Sequence, residues 1–245
     1  MTYQPYTIDG AGRVSRWLIT CDHAANTVPE AVNGGDLGLD PADMQRHIAH
    51  DIGAKAVSLL LGEMLEAPVI CSNFSRLVID PNRGEDDPTL IMQLYDGTII
   101  PGNRTLDAAE RERRLEAYYR PYHKALEDLA ARREDTVIVA VHSFAPRLNG
   151  RAPRPWEVGI LHAPWEERFS RALIERLRAE GDLTVGENEP YPGHLPGDSM
   201  DCHALRHGRD NTLIELRQDL IADAAGQRHW AGRLAPILRD VLENM

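Results

Sequence analysis

The sequence predicts an α/β fold: a mixed, largely parallel sheet with helices on both faces. Short apolar runs recur along the chain, and longer stretches with apolar residues at helical spacing fall between them. No repeat, low-complexity segment or linker-like composition shift divides the 245 residues, so a single domain over 1–245 is expected.

Trp17-Leu18-Ile19-Thr20-Cys21 reads as the first strand, followed by a loop holding Pro29, Asn33, Gly34, Gly35 and Gly38. Asp40-Pro41 has the form of an N-cap with proline at the first helical position, which predicts a helix from there to about Glu66. Its apolar stripe is Ile48, Ile52, Ala56, Leu59, Leu60 and Met64, with His47, Asp51 and Ser58 on a neighbouring stripe. Ala67-Pro68 ends that helix, Val69-Ile70-Cys71 is the next strand, and Leu77-Val78-Ile79-Asp80 a further short one. Residues 84–105 are rich in turn formers and predict a long loop, a place where function often resides. From Leu106 to Arg133 the pattern is helical, with Leu115, Tyr118, Tyr122, Leu126 and Leu129 on one side and a kink or split at Pro121. Strands at 137–141 and 157–162 follow, then a helix near 164–180 and a short strand around Leu183. A second long loop over 186–211, a strand at 212–216 and a helix over 226–243 complete the expected order.

Composition narrows the function classes. Hydrophobic residues make up 42%, an ordinary value for a globular protein, and the net charge of −11 argues against a nucleic-acid partner. Cys21, Cys71 and Cys202 form no Cys-x-x-Cys pair, which suits reduced thiols. Met1-Thr2-Tyr3-Gln4-Pro5 lacks the basic and apolar regions of a leader, and no apolar stretch is long enough to span a bilayer. A cytoplasmic protein without a membrane partner is expected. There is no Gly-x-Ser-x-Gly elbow, no phosphate loop and no Gly-x-Gly-x-x-Gly.

Two histidines stand where chemistry is expected. His142 closes the apolar run 137–141, and His23 lies just past the first strand. Ligands of open α/β sheets bind beyond the carboxyl ends of the strands, so two imidazoles delivered there can meet on one metal ion. Such a site also wants an anionic ligand; Asp51 is preferred, with Asp22 and His47 as alternatives. Glu215 sits inside the apolar run Thr212-Leu213-Ile214-Glu215-Leu216, and a carboxylate placed there suits a general base. Arginines near strand ends and in the long loops, Arg76, Arg83, Arg147, Arg206 and Arg217, offer forks for a substrate carboxylate. His207 could polarise a carbonyl. A nucleophilic Cys21 or Cys202 lacks an orienting third group.

Three blocks then carry a family resemblance. Thr20-Cys21-Asp22-His23-Ala24-Ala25-Asn26, Asn73-Phe74-Ser75-Arg76-Leu77-Val78-Ile79-Asp80-Pro81-Asn82-Arg83 and Ile214-Glu215-Leu216-Arg217-Gln218-Asp219-Leu220 resemble the N-formylglutamate amidohydrolase family, with support from Val141-His142-Ser143-Phe144 and Tyr119-Arg120-Pro121-Tyr122-His123. The resemblance implies a phosphorylase/hydrolase-like fold related to zinc carboxypeptidases and one zinc ion on His23, Asp51 and His142. It also implies Glu215 as base and a substrate pocket shaped by Arg76, Asn82, Arg83, His207 and Arg217. Members acting in histidine breakdown are similar but carry Pro-His-Ser-Gly where this chain has Asp22-His23-Ala24-Ala25. The expected activity is hydrolysis of an N-formyl or other N-acyl amino acid such as N-formyl-L-glutamate. A peptide or cell-wall amide substrate, or a non-catalytic small-molecule binding protein, are the alternatives.

Overall fold

A computed structural model describes residues 3–245; Met1 and Thr2, part of the segment read for a leader, lie outside them. Four parallel strands form the centre of a seven-stranded sheet: β2 (Trp17–Cys21), β3 (Val69–Ser72), β6 (Val137–Phe144) and β9 (Asn211–Arg217). The order is β1-β3-β2-β6-β9-β7-β8, where β1 (Tyr6–Asp9) pairs antiparallel with β3 and β7 (Val158–Leu161) antiparallel with β9. β8 (Val185–Glu187) runs parallel to β7. β2, β3 and β6 are buried along their whole lengths, which explains continuous apolar runs rather than alternation. The fold expectation is met, with a mostly parallel sheet and helices on both faces.

One face of the sheet packs on α1 (Ala54–Met64), α4 (Arg168–Arg178) and α6 (Ala224–Glu243) through Val57, Leu61, Phe169, Leu173, Trp230 and Leu234. The other meets α3 (Arg120–Ala130) and α5 (Ser199–His203) through Tyr122, Leu126, Leu129 and Met200. A third apolar cluster, including Val32, Phe74, Leu77, Ile79, Ile100 and Tyr118, is built mainly from loops.

Several local expectations are corrected. The helix expected from Asp40 starts only at Ala54, because Gly53 takes a left-handed φ of 80° and closes a turn in front of it. Asp51 therefore sits in a loop, its N–H donating to His23 O at 2.9 Å. Leu77–Asp80 forms turns, not a strand; its apolar side chains fill the third cluster without joining a ladder. The loop 84–105 contains a hairpin, β4 (Leu94–Tyr95) and β5 (Thr98–Ile99), and the loop 186–211 contains α5. Pro121 does not break the long helix. A π turn over Leu115–Tyr119 joins α2 (Ala108–Arg114) to α3, and the widened turn accommodates the ring and the missing N–H. Among the described residues, no helix is long and apolar enough to cross a membrane.

Candidate metal centre

β2 and β6 run side by side, in register from Trp17↔Val137 to Thr20↔Ala140, and β6 continues past the end of β2 to Phe144. Their carboxyl ends deliver His23 and His142 to one point, with the rings 4.9 Å apart. Asp51 reaches the same point from the turn before α1. His23 Nδ1 lies 3.2 Å from Asp51 Oδ2 and 3.2 Å from His142 Nδ1, and His142 Nδ1 lies 2.9 Å from that same carboxylate oxygen. All three residues are buried.

The outward nitrogens explain why these atoms converge. His23 Nε2 is 2.7 Å from Asp80 Oδ1, so it carries the ring proton and Nδ1 presents a lone pair. His142 Nε2 faces Asp22 Oδ2 at 3.5 Å. Arg76 Nη1 donates to His23 Nδ1 at 3.2 Å, consistent with a lone pair there. Two imidazole lone pairs and a carboxylate oxygen at these separations repel one another unless a cation or proton lies between them. With metal bonds of about 2.1 Å, a tetrahedron has edges of about 3.4 Å, close to the triangle found. Carboxylates behind ligand histidines, as Asp80 and Asp22 stand here, fix the tautomer and raise ligand basicity. The donor set fits a divalent metal.

The two outer carboxylates are themselves held. Asp80 Oδ2 accepts from Arg76 Nη2 at 2.6 Å, and Asp22 accepts from Ser199 Oγ at 2.6 Å and from the Tyr122 hydroxyl. Burial opposes ionisation of Asp80, but the charge of Arg76 and the hydrogen bond from His23 hold its carboxyl far below the ordinary range. Burial likewise opposes a charged His142, yet its hydrogen bonds to Asp22 and Asp51 keep the imidazolium favoured well above the usual histidine value.

Glu215 is register partner to His142 on the adjoining strand β9, so both point from the same face of the sheet. Its Oε2 is buried without a hydrogen-bond partner. Burial raises its pKa from 4.5 to about 7 against the opposing charge of His142. A cavity of about 240 Å³ runs from the cluster along β9, past Glu215, Leu213 and Asn211.

Arg76, Asn82 and Arg83 line this cavity; His207 and Arg217 do not. His207 is half-exposed and faces Glu127 at 3.7 Å, while Arg217 turns to Asp219 at 2.8 Å. Of the alternative ligands, Asp22 stands behind His142, and His47 lines the cavity but pairs with Asp96 at 3.5 Å. Cys21 and Cys71 are register partners whose side chains belong to the helix-covered core, away from the cavity. The sequence reading did not assign the roles of Asp22 and Asp80 behind the histidines. Nor did it find Tyr95, His162 and Tyr191, which complete the cavity wall. The spacing of Arg76 and Asp80, four residues apart with opposite charge, was the one visible signal.

Known proteins resemble this chain in sequence and in fold. A family model described as N-formylglutamate amidohydrolase matches residues 15–222. The chain is 27% identical over 219 residues to N-formylglutamate deformylase of Pseudomonas putida, a match covering 79% of this chain and 74% of that one. Among solved structures, a gene product of Agrobacterium tumefaciens is 36% identical and superposes with a TM-score of 0.91 over 99% of this chain and 96% of its own. N-formylglutamate amidohydrolase from Ralstonia eutropha shares the fold, with a TM-score of 0.70 at 23% identity over 98% and 99% of the two chains. A match extending from before β2 to beyond β9 takes in every residue of the cluster, and the chain belongs to the N-formylglutamate amidohydrolase family.

Proposed function

We propose that the protein is a zinc-dependent amidohydrolase that cleaves an N-formyl, or similar short N-acyl, amino acid to the carboxylic acid and the free amino acid. The observation that carries the reading is the convergence of His23 Nδ1, Asp51 Oδ2 and His142 Nδ1 next to a buried, unpartnered Glu215. His23, Asp51 and His142 would hold a divalent ion, which would supply Lewis-acid polarisation of the acyl oxygen and acidify a water molecule. Glu215 takes that water's proton as oxygen adds to the acyl carbon, then returns a proton to the nitrogen as the C–N bond breaks. A carboxylate with a pKa near neutrality can do both. Arg83 and Asn82 hold the α-carboxylate, and Arg76, fixed by Asp80, adds positive charge on the same side of the cavity. A cavity of about 240 Å³ lies below the ~300 Å³ at which drug-sized pockets begin and suits an amino-acid-sized ligand better than a polymer.

The test combines elemental analysis of the purified chain with turnover on a panel of N-formyl amino acids, N-acetyl amino acids and short peptides. About one equivalent of zinc and formate release are expected. Glu215→Gln should retain zinc and lose on the order of 10²–10⁴-fold in kcat. Undiminished turnover in that variant, or activity confined to peptides, would overturn the assignment.

A further inference from the structure

Of the block Tyr119-Arg120-Pro121-Tyr122-His123, the metal centre uses only Tyr122, through its bond to Asp22. The other two aromatic side chains reach segment 80–83 from behind. The Tyr119 hydroxyl donates to Arg83 O at 2.7 Å, and His123 Nε2 donates to Pro81 O at 3.0 Å. Among the described residues, no backbone N–H reaches either carbonyl. A buried carbonyl left without a donor is costly, so these two side chains fix the peptide planes that bracket Asn82 and Arg83.

The two sides of this segment face different spaces. Asn82 and Arg83 line the cavity that contains Glu215. Tyr119, His123 and His203 line a separate open cleft of about 650 Å³, which shares no lining residue with that cavity. His123 therefore touches no substrate, and any effect it has on the cavity passes through the backbone it holds.

The ring of His123 is set for that bond. A carbonyl oxygen can only accept, so Nε2 carries the proton. Nδ1 then accepts from His203 Nε2 at 2.8 Å, and His203 Nδ1 is turned to Glu127 Oε2 at 3.1 Å. Arg209 grips Glu127 through two bonds, of 3.0 and 3.1 Å. Burial pushes His123 down to about 4, which keeps the ring neutral and leaves Nδ1 an acceptor. The rings of Tyr119 and His203, centred 4.1 Å and 5.1 Å away, restrict its rotation further.

We propose that His123 is a positioning residue for substrate binding: the line Glu127–His203–His123 holds Pro81 O so that Asn82 and Arg83 face the substrate's α-carboxylate. The proposal rests on the hydrolase reading for what Asn82 and Arg83 bind, and on the bonds around His123 for the residue.

Two substitutions separate the two ring nitrogens. His123→Gln places an amide N–H where Nε2 stood and keeps the bond to Pro81. His123→Asn places its oxygen where Nδ1 stood, so it keeps the acceptor for His203 and gives up the donor to Pro81. For wild type and both variants, kcat and KM are measured on the N-formyl amino acid that wild type turns over best, together with hydrogen exchange of the backbone amides over 82–84. His123→Asn should raise KM on the order of 10-fold, with kcat within about threefold, and should exchange faster over 82–84. His123→Gln should stay within about threefold of wild type throughout. Equal KM in the two variants, or a loss carried by kcat, overturns the proposal. In wild type, ¹⁵N NMR of the ring should find the proton on Nε2, and a proton on Nδ1 alone overturns it without recourse to any variant. If wild type hydrolyses no N-formyl amino acid, the hydrolase reading fails and exchange decides His123. Faster exchange in His123→Asn than in His123→Gln then supports its hold on the segment, and equal exchange overturns it.

Discussion

Replacing Asp80 with asparagine separates the charge of this carboxylate from its shape. Oδ1 accepts from His23 Nε2 at 2.7 Å and from the Asn82 N–H at 2.9 Å, while Oδ2 accepts from Arg76 Nη2 at 2.6 Å. An amide has one oxygen for these donors. With that oxygen towards His23, the NH2 confronts Arg76, whose only remaining carboxylate partner among the described residues is Asp51 at 3.7 Å. With the amide reversed, the NH2 faces His23 Nε2, the ring proton must move to Nδ1, and the metal-facing lone pair is lost. The first arrangement breaks a buried ion pair, worth about 3–5 kcal/mol. At roughly 2–4 °C per kcal/mol for a chain of this size, Tm should fall by about 6–20 °C. The second should weaken metal binding by about 10–100-fold. Calorimetry on chelator-stripped Asp80→Asn protein reads the first effect, and zinc titration against a competing chelator reads the second. A variant with wild-type Tm and zinc affinity within about twofold would refute the role given to Asp80.

Two further outcomes follow from the same geometry. The base must be a carboxylate, and burial places the Glu215 pKa near 7, so kcat/KM should fall about tenfold per unit as pH drops below its acid limb. A bound cation draws that limb to or below pH 7, and a profile flat from about pH 5 to 8 would remove Glu215 as the base. The effect on stability has the opposite sense: because the folded value is raised, Glu215 contributes fully below its ordinary 4.5 and loses that contribution as pH rises through about 7. Gly53 has φ 80°, and a Cβ there would lie 2.1 Å from Ile221 O. Gly53→Ala should therefore cost about 2–5 kcal/mol from left-handed strain and overpacking and displace Asp51; unaltered Tm and zinc content would contradict this.

The histidines and the glutamate were legible because position along a strand is a local property. A polar residue that ends or interrupts an apolar run in an α/β protein is visible from its neighbours alone, as His142 and Glu215 were. Asp51 was identified with the wrong element, because helical periodicity was extended across Gly53, whose left-handed backbone packs against Ile221 of a distant segment. The β4–β5 hairpin carried a readable signal that went unused: Asp96-Gly97 between Leu94-Tyr95 and Thr98-Ile99, both at positive φ as a type I′ turn requires. Leu77–Ile79 misled because three consecutive apolar residues fit a strand as well as a buried turn. Asp22 and Asp80 act on atoms brought near them by folding, His142 from 120 residues and His23 from 57 residues away. No spacing rule reports such pairs.

Those two aspartates also bear on why the proposed site would favour an ion over a proton. Asp22, Asp51, Asp80 and Glu215 are each at most 6% exposed, and Arg76 is the buried guanidinium among them. Carboxylates buried without matching positive charge cost several kcal/mol each. The chain's own remedy is to protonate imidazole, which is what donating to Asp22 and Asp51 favours at His142. A proton bridges only two of the three converging atoms, whereas a divalent ion accepts all three lone pairs and cancels more charge. Proton and metal therefore compete for one position, and affinity for the ion should rise as protons leave. Affinity for the proposed metal would in this way depend partly on residues that do not touch it: Asp22 and Asp80 turn each Nδ1 inward, and Ser199, Tyr122 and Arg76 keep those carboxylates in place.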